Sequence, residues 1–237
     1  MKKIIFFFVC TIAAIAIFPQ SMVIQKNDST NLFIDLNSIS QINFIIPCPG
    51  TETVDYEGKI YNTIQIGNQC WIKENLNVGV QDYPSNNGVI EKYCYNNIED
   101  SCTKYGALYY WQEAMQYSGT EGAKGICPTG WHIPTQADYN ALVTYVNNNG
   151  NALKREDQGS GYGQGTNTSG FSGLLAGGKQ YSGGPFIAFG EWGTFWMSKP
   201  NTSSYAYTMQ IMSNTNTINI SSGTMVSWGM SVRCIKD

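Results

Sequence analysis

Apolar residues recur at Tyr139, Leu142, Val143 and Val146, the i, i+3, i+4, i+7 spacing that lays one face of a helix on a core. Thr135 stands where an N-cap belongs and Asp138 follows three residues later, so the start reads as a capping box. Asn147, Asn148, Asn149 and Gly150 close the helix, since Asn and Gly tolerate the left-handed backbone of a helix end. Just upstream, Cys127-Pro-Thr-Gly-Trp-His-Ile-Pro134 brings a cysteine, Trp131 and the sole histidine to the helix entrance. This pattern predicts a core in which a cystine, a Trp and a helix face converge.

Elsewhere the period is two, or too short to resolve. Residues 53–56 and 59–66 read as a hairpin turning at Glu57-Gly58, with Ile60, Asn62, Ile64 and Ile66 at alternate positions. Gly67-Asn68 turns the chain into a strand at 69–72, and a loop runs from Glu74 to about Lys92. Residues 106–109 predict a short strand. Trp111, Ala114 and Met115 predict a short helix over 111–117. The stretch 147–170, rich in Gly, Asn, Ser, Thr and Gln, reads as a long, mobile surface connection. Strands are expected at 174–181, 186–189, 194–197, 205–212, 217–220 and 226–234. Ahead of these, apolar runs at 22–26, 31–36 and 41–46 predict an antiparallel ribbon over 22–46, too small to stand alone, with 47–52 as the linker.

Composition moves the picture out of the cell. Charged residues make up only 13% of 237, whereas glycines number 25 and tyrosines 15, the profile of a loop-rich, strand-rich exported protein. Lys2 and Lys3 precede an apolar run over 4–18, so 1–21 reads as a secretory leader of bacterial type, too short for a membrane span. Phe8 and Val9 rather than small residues precede Cys10, which argues against lipidation there. Loss of the leader leaves 12 basic and 17 acidic residues, a net −5, and no transmembrane segment. The absence of a basic stripe argues against nucleic acid.

Six cysteines remain beyond the leader: Cys48, Cys70, Cys94, Cys102, Cys127 and Cys234. An even count in an exported chain predicts disulfides, and six cysteines allow fifteen connectivities. Cys94 and Cys102 bracket a seven-residue polar loop and pair with each other. Fastening the last strand to the stretch before the main helix pairs Cys127 with Cys234, which leaves Cys48 for Cys70.

Seven short motifs occur in one order: Tyr61-x-x-x-Gln-Ile-Gly-x-Gln-x-Trp71, Glu74-Asn-Leu-Asn77, Tyr105-Gly-x-Leu-Tyr109 with Trp111, Cys127-Pro-x-Gly-Trp-His-Ile-Pro134, Gly170-Phe171, Phe195-Trp-x-Ser198 and Ser231-Val-Arg-Cys234. Together they resemble the Fibrobacter succinogenes major paralogous domain family over about 53–237. The resemblance implies an exported bacterial domain of α+β class with a C-type-lectin-like fold. That fold has two helices, a mixed, mostly antiparallel twisted sheet and long loops. The resemblance carries over no catalytic residue.

The chemistry available is sparse. A Ser-His-Asp or Cys-His mechanism would have to use His132, which reads instead as a core imidazole bonded to backbone. Glu74, Glu113, Asp138, Asp157 and Glu191 are the candidate carboxylates for glycoside hydrolysis, and no spacing selects a pair. One histidine and no Cys-x-x-Cys leave no zinc site. Where a calcium lectin carries Glu-Pro-Asn, this chain has Lys199-Pro-Asn201, and an ammonium offers a dication no ligand oxygen. No metal and no cofactor are therefore expected. Tyr162, Asn167, Tyr181, Glu191 and Trp192 lie in Gly-rich loops together with Phe186, and aromatic faces beside amides suit a polysaccharide or protein surface. The expected function is a secreted or cell-surface, non-enzymatic binding domain using these loops. A structural module and an enzyme are the alternatives.

Overall fold

The computed structural model describes residues 21–25, 31–35 and 45–237, and the chain divides into two compact units, Met1–Asn43 and Phe44–Asp237. In the first unit, β1 (Ser21–Gln25) pairs antiparallel with β2 (Asn31–Asp35), Met22 facing Ile34. The expected leader lies outside the described residues except for Ser21, which opens β1. Cys10 and most of the third ribbon strand also lie outside them. Ile45 and Ile46 are described and are not strand; the Ile46 carbonyl accepts from Gln65 N at 3.0 Å.

The second unit is α+β with mostly antiparallel strands. Its five-stranded sheet runs β3 (Thr53–Tyr56), β4 (Lys59–Ile66), β5 (Gln69–Ile72), β14 (Ile235–Lys236), β8 (Trp131–His132). The final strand is thus inserted between early ones, with Ile235 opposite both Trp71 and His132. A three-stranded antiparallel sheet holds β11 (Trp192–Pro200), β12 (Tyr205–Met212) and β13 (Ile218–Met225). Two short pairs complete it: β6 (Val80–Gln81) parallel to β7 (Glu91–Lys92), and β9 (Gly178–Lys179) antiparallel to β10 (Phe186–Ile187).

Three α-helices accompany the sheets, one more than expected. The Cys94–Cys102 segment folds as α1 (Glu99–Tyr105). Glu99 and Asp100 fill its first turn and Lys104 its last, as the helix dipole favours. Within it only Cys102 is buried, so no apolar stripe announced it. The helix expected at 111–117 is a single turn, α2 (Trp111–Ala114), because Gln116 and Tyr117 take positive φ. α3 (Gln136–Tyr145) carries the expected capping box, and Asn147 and Asn148 follow it in the left-handed region.

The core has two clusters. Cys127, Trp131, Trp111, Met115 and Trp196 pack in one; Tyr139, Leu142, Val146, Trp71 and Phe195 pack in the other. The cystine and Trp131 therefore do not share a cluster with the α3 face. That face meets Trp71, whose ring lies 5.3 Å from Tyr139. β4 serves both clusters: Tyr61 belongs to the first, Ile64 and Ile66 to the second, and Ile60 is 72% exposed.

All three disulfides join the expected partners: Cys48–Cys70, Cys94–Cys102 and Cys127–Cys234. Several expected strands shrink. Of 174–181 only Gly178–Lys179 is strand, and 226–234 contributes isolated bridges such as Tyr109 to Met230. The 147–170 connection is held in place by hydrogen bonds: Gly150 N donates to Asn216 O, Ser160 N to Ser213 O and Thr166 N to Asn151 O. Lys154, fully buried within it, donates to the carbonyls of Met212 and Thr215 at 2.6 and 2.8 Å. Burial without a carboxylate partner pulls its ammonium down to about 8.

Candidate functional site

Three remote segments meet around a cleft of about 670 Å³: the β4–β5 region through Asn77, the C-terminal half of α1, and the 155–174 stretch. The segment after β5 forms one wall. Asn75 Nδ2 donates to Tyr105 O at 2.8 Å, and Asn75 Oδ1 accepts from Arg233 Nε at 2.7 Å. Arg233 is wholly buried, with Phe171 and Phe195 rings 4.4 and 5.7 Å from its Cζ. Its remaining donors reach Ile72 O, Phe171 O and Ser172 O. One planar cation thereby sets both Asn75 and the Phe171–Ser172 turn, two opposite walls. Burial lowers the guanidinium to about 10, where it still carries its charge at neutral pH.

Asn77 is held from three sides. Its N–H donates to the Tyr61 hydroxyl at 3.1 Å, its carbonyl accepts from Lys59 Nζ at 2.5 Å and its Oδ1 from Lys92 Nζ at 2.6 Å. An ammonium on Oδ1 fixes the amide orientation, and Nδ2 then has no partner among the described residues. α1 is drawn against this wall through Gly106 (φ +80°), where a Cβ would stand 2.3 Å from Asn75 Cβ.

The cleft is cationic. Lys59, Lys73, Lys104 and Arg155 line it against one carboxylate, Glu74, in a chain of net charge −3. Both Glu74 oxygens accept from Asn62, through its N–H at 2.8 Å and its Nδ2 at 2.7 Å. Arg155 is paired in bidentate fashion with Asp157 at 2.6 and 2.7 Å, which holds that carboxyl at about 2. Lys73 and Lys104 have no carboxylate partner among the described residues. Burial and the Lys92 charge lower the Lys59 ammonium.

A second cleft of about 320 Å³ begins at Tyr105, which lines both, and continues past Asp157, Ser160 and Phe189. Tyr105 stands edge-on to Phe189 at 4.7 Å, and Phe189 lies 4.6 Å from Tyr95, which packs in turn on Phe186. The two clefts share Tyr105, and the paired Arg155 and Asp157 line the first and the second respectively.

The sequence candidates do not gather in one place. Asn167 alone lines the main cleft; its Oδ1 accepts from Ser172 N at 2.9 Å, so it shapes the wall. Trp192 lies on β11 beside a separate hollow with Gln210 and Trp228. Tyr162 is 94% exposed, Tyr181 57%, and Glu191 is exposed with its carbonyl accepting from Ser213 N. Lys73, Asn75, Asn77, Lys104, Tyr105 and Arg233 went unassigned at the sequence level. Their signal was present: most stand within or beside the short motifs, and separation along the chain hid that these meet.

His132 corrects its expected setting. The imidazole bonds two carboxylates rather than backbone, Nδ1 to Asp237 Oδ1 at 2.7 Å and Nε2 to Asp138 Oδ2 at 3.3 Å. The Asp138 bond, with Asp237 adding to it, raises the imidazole above its ordinary 6.5. Burial alone would raise the Asp138 carboxyl, but bonds from His132 and Thr135 outweigh it and hold it low. The buried Glu113 accepts from Glu91 N, Gln116 Nε2 and Tyr117 Oη, and burial raises its carboxyl. Glu91 accepts from Ser85 and Asn87. Cys94, Glu99 and Cys102 form the cluster of ligand-type atoms among the described residues, with both sulfurs joined to each other. Lys199 donates to Gln136 Oε1 and lies over the Tyr207 ring.

No curated protein and no solved structure matches this chain. The family model of the Fibrobacter succinogenes major domain matches residues 64–236, a span that holds β5, all three helices, the long three-stranded sheet and most of the cleft lining, though not Lys59, Ile60 and Tyr61. The chain belongs to the Fibrobacter succinogenes major domain family.

Proposed function

We propose that this chain is an exported, non-enzymatic recognition domain, C-type-lectin-like in plan, that takes a polysaccharide along the groove divided by Tyr105. The observation that carries this reading is that two clefts share one aromatic side chain, Tyr105, in their linings. A ring shared by two neighbouring clefts suits a polymer that spans both. Amide and hydroxyl groups along it offer what sugar hydroxyls need, and ring faces stack on their apolar sides. Export is supported by the leader-like start and by three disulfides, which persist in oxidising compartments. Among the described residues no helix is long and apolar enough to cross a membrane.

Absence of catalysis is supported by how the reactive groups are committed. The six cysteines beyond the leader are paired, His132 is clamped, and Glu74, Glu91, Glu113, Asp138 and Asp157 each accept hydrogen bonds from neighbours within the chain. The test is calorimetric titration of the full exported chain with a panel of plant and microbial polysaccharides. Binding that Tyr105→Ala abolishes, and that Trp192→Ala and Tyr162→Ala leave unchanged, is the expected result. Binding indifferent to Tyr105→Ala, in a variant with native circular dichroism, overturns it.

A further inference from the structure

We infer that the larger cleft receives the anionic groups of an acidic polysaccharide, the carboxylates of uronic acids or the sulfates of a sulfated glycan. This rests on the reading of the groove as the binding site and deepens it.

The chain is acidic overall, yet this cleft gathers four cations against Glu74. Pairing within the chain accounts for only part of this concentration. Salt bridges in the chain take Lys92 to Glu99 and Arg155 to Asp157, while Lys73 and Lys104 point to no carboxylate among the described residues. Lys104 Nζ lies 5.2 Å from the Tyr105 ring centroid, beside the partition. Lys59 is fixed on the Asn77 carbonyl, while Lys92, outside the cleft lining, bonds Asn77 Oδ1 and is paired with Glu99. Lys73 and Lys104 lack that compensation, so an incoming anion is attracted to them. Glu74 offsets the cleft's charge only partly, with both oxygens turned to Asn62.

A glycan fits better than an acidic peptide because the cations share the cleft with uncharged amide groups. Asn77 Nδ2 lacks a partner among the described residues, while Asn167 and Ser172, also in the lining, bond each other. A free amide donor beside cations matches a ring hydroxyl next to a charged substituent. The charge also falls off along the groove, since the second cleft contains Asp157 and no unpaired cation. An anionic unit is thus held in the first cleft, and a neutral or apolar face lies against Tyr105 and Phe189.

The experiment measures affinity of the full exported chain for polygalacturonate against its fully methyl-esterified form, which removes charge and keeps the backbone. Dextran sulfate against dextran provides the sulfate arm, and poly-glutamate the peptide arm. The expected result is tighter binding of one charged glycan than of its neutral counterpart. That preference should weaken on raising salt from 50 to 500 mM and fall about tenfold in the Lys73→Gln, Lys104→Gln double variant. Which charged glycan binds tells carboxylate from sulfate recognition. Equal binding of charged and neutral forms, still lost in Tyr105→Ala, overturns the anionic inference and leaves the groove reading standing. Poly-glutamate binding as tightly as either charged glycan overturns the glycan assignment. Failure of every polysaccharide to bind overturns both readings. Native circular dichroism of the double variant excludes misfolding, since neither lysine packs in the core.

Discussion

Arg233, two residues before Ile235, the strand partner of Trp71, donates through Nε to Asn75 Oδ1 at 2.7 Å, across a separation of 158 positions. The bond joins a motif at the end of the chain to one near its start, and the same guanidinium holds Phe171 O and Ser172 O. The cleft's shape therefore depends on a cation that never touches its contents.

Replacing that cation should collapse both walls. Arg233→Met leaves Asn75 Oδ1 and three buried carbonyls without donors, at a cost of about 3 kcal/mol or more. Arg233→Lys recovers only part, since an ammonium cannot reproduce the planar fork between two rings. Urea denaturation of the two variants gives the order wild type, Lys, Met.

Gly106 admits no side chain. In Gly106→Ala the new Cβ meets Asn75 and the backbone keeps an unfavourable φ of +80°, so about 2 kcal/mol is lost. Any binding in the groove should weaken along with the melting temperature, because Asn75 and Tyr105 are displaced together.

The His132 clamp makes stability depend on pH. Its folded imidazole titrates above its ordinary 6.5, so its contribution is complete below that value and is lost as pH rises through the raised one. Asp138, held low, contributes above 3.8 and loses its contribution as pH falls through its lowered value. Thermal denaturation between pH 5 and 8 should show a decline that His132→Ala removes. An unchanged decline in the variant rules the clamp out as its source.

The disulfides should rank by the loop each closes. Cys127–Cys234 spans 107 positions and Cys94–Cys102 spans 8. Chain entropy gives roughly 5 kcal/mol for the first and about 2.5 for the second. Double serine variants, unfolded in guanidinium, check the order. Loss of the smaller one should still reach binding, because Cys102 lines the cleft and α1 carries Lys104 and Tyr105.

Much of the framework was readable from local pattern. The α3 capping box, its Asn terminus, the 53–72 strands and the Cys94–Cys102 pair each follow from spacing within a short stretch, whereas the other two cystines rested on the expectation that the last strand is tied to the stretch before α3. α1 was not readable, because a helix that buries one cysteine shows no apolar period. The 226–234 stretch misled because its apolar residues pack in irregular bridges rather than along one sheet.

The candidate site divides in the same way. Tyr162 and Trp192 are aromatics near glycines, yet exposure near a glycine does not say what faces what. Residues that line the cleft come from within 59–77, 102–106 and 155–174, brought together by a buried arginine and a one-residue close approach at Gly106. The order of residues by itself determined the short Cys94–Cys102 staple, the capped helix and the family, because those are written in neighbouring side chains and in motif spacing. Tertiary structure alone decided that Lys73, Lys104 and Tyr105 share a groove, and that His132 bonds carboxylates. Electrostatic and hydrogen-bonding partners are set by distance in space, which a linear pattern does not contain.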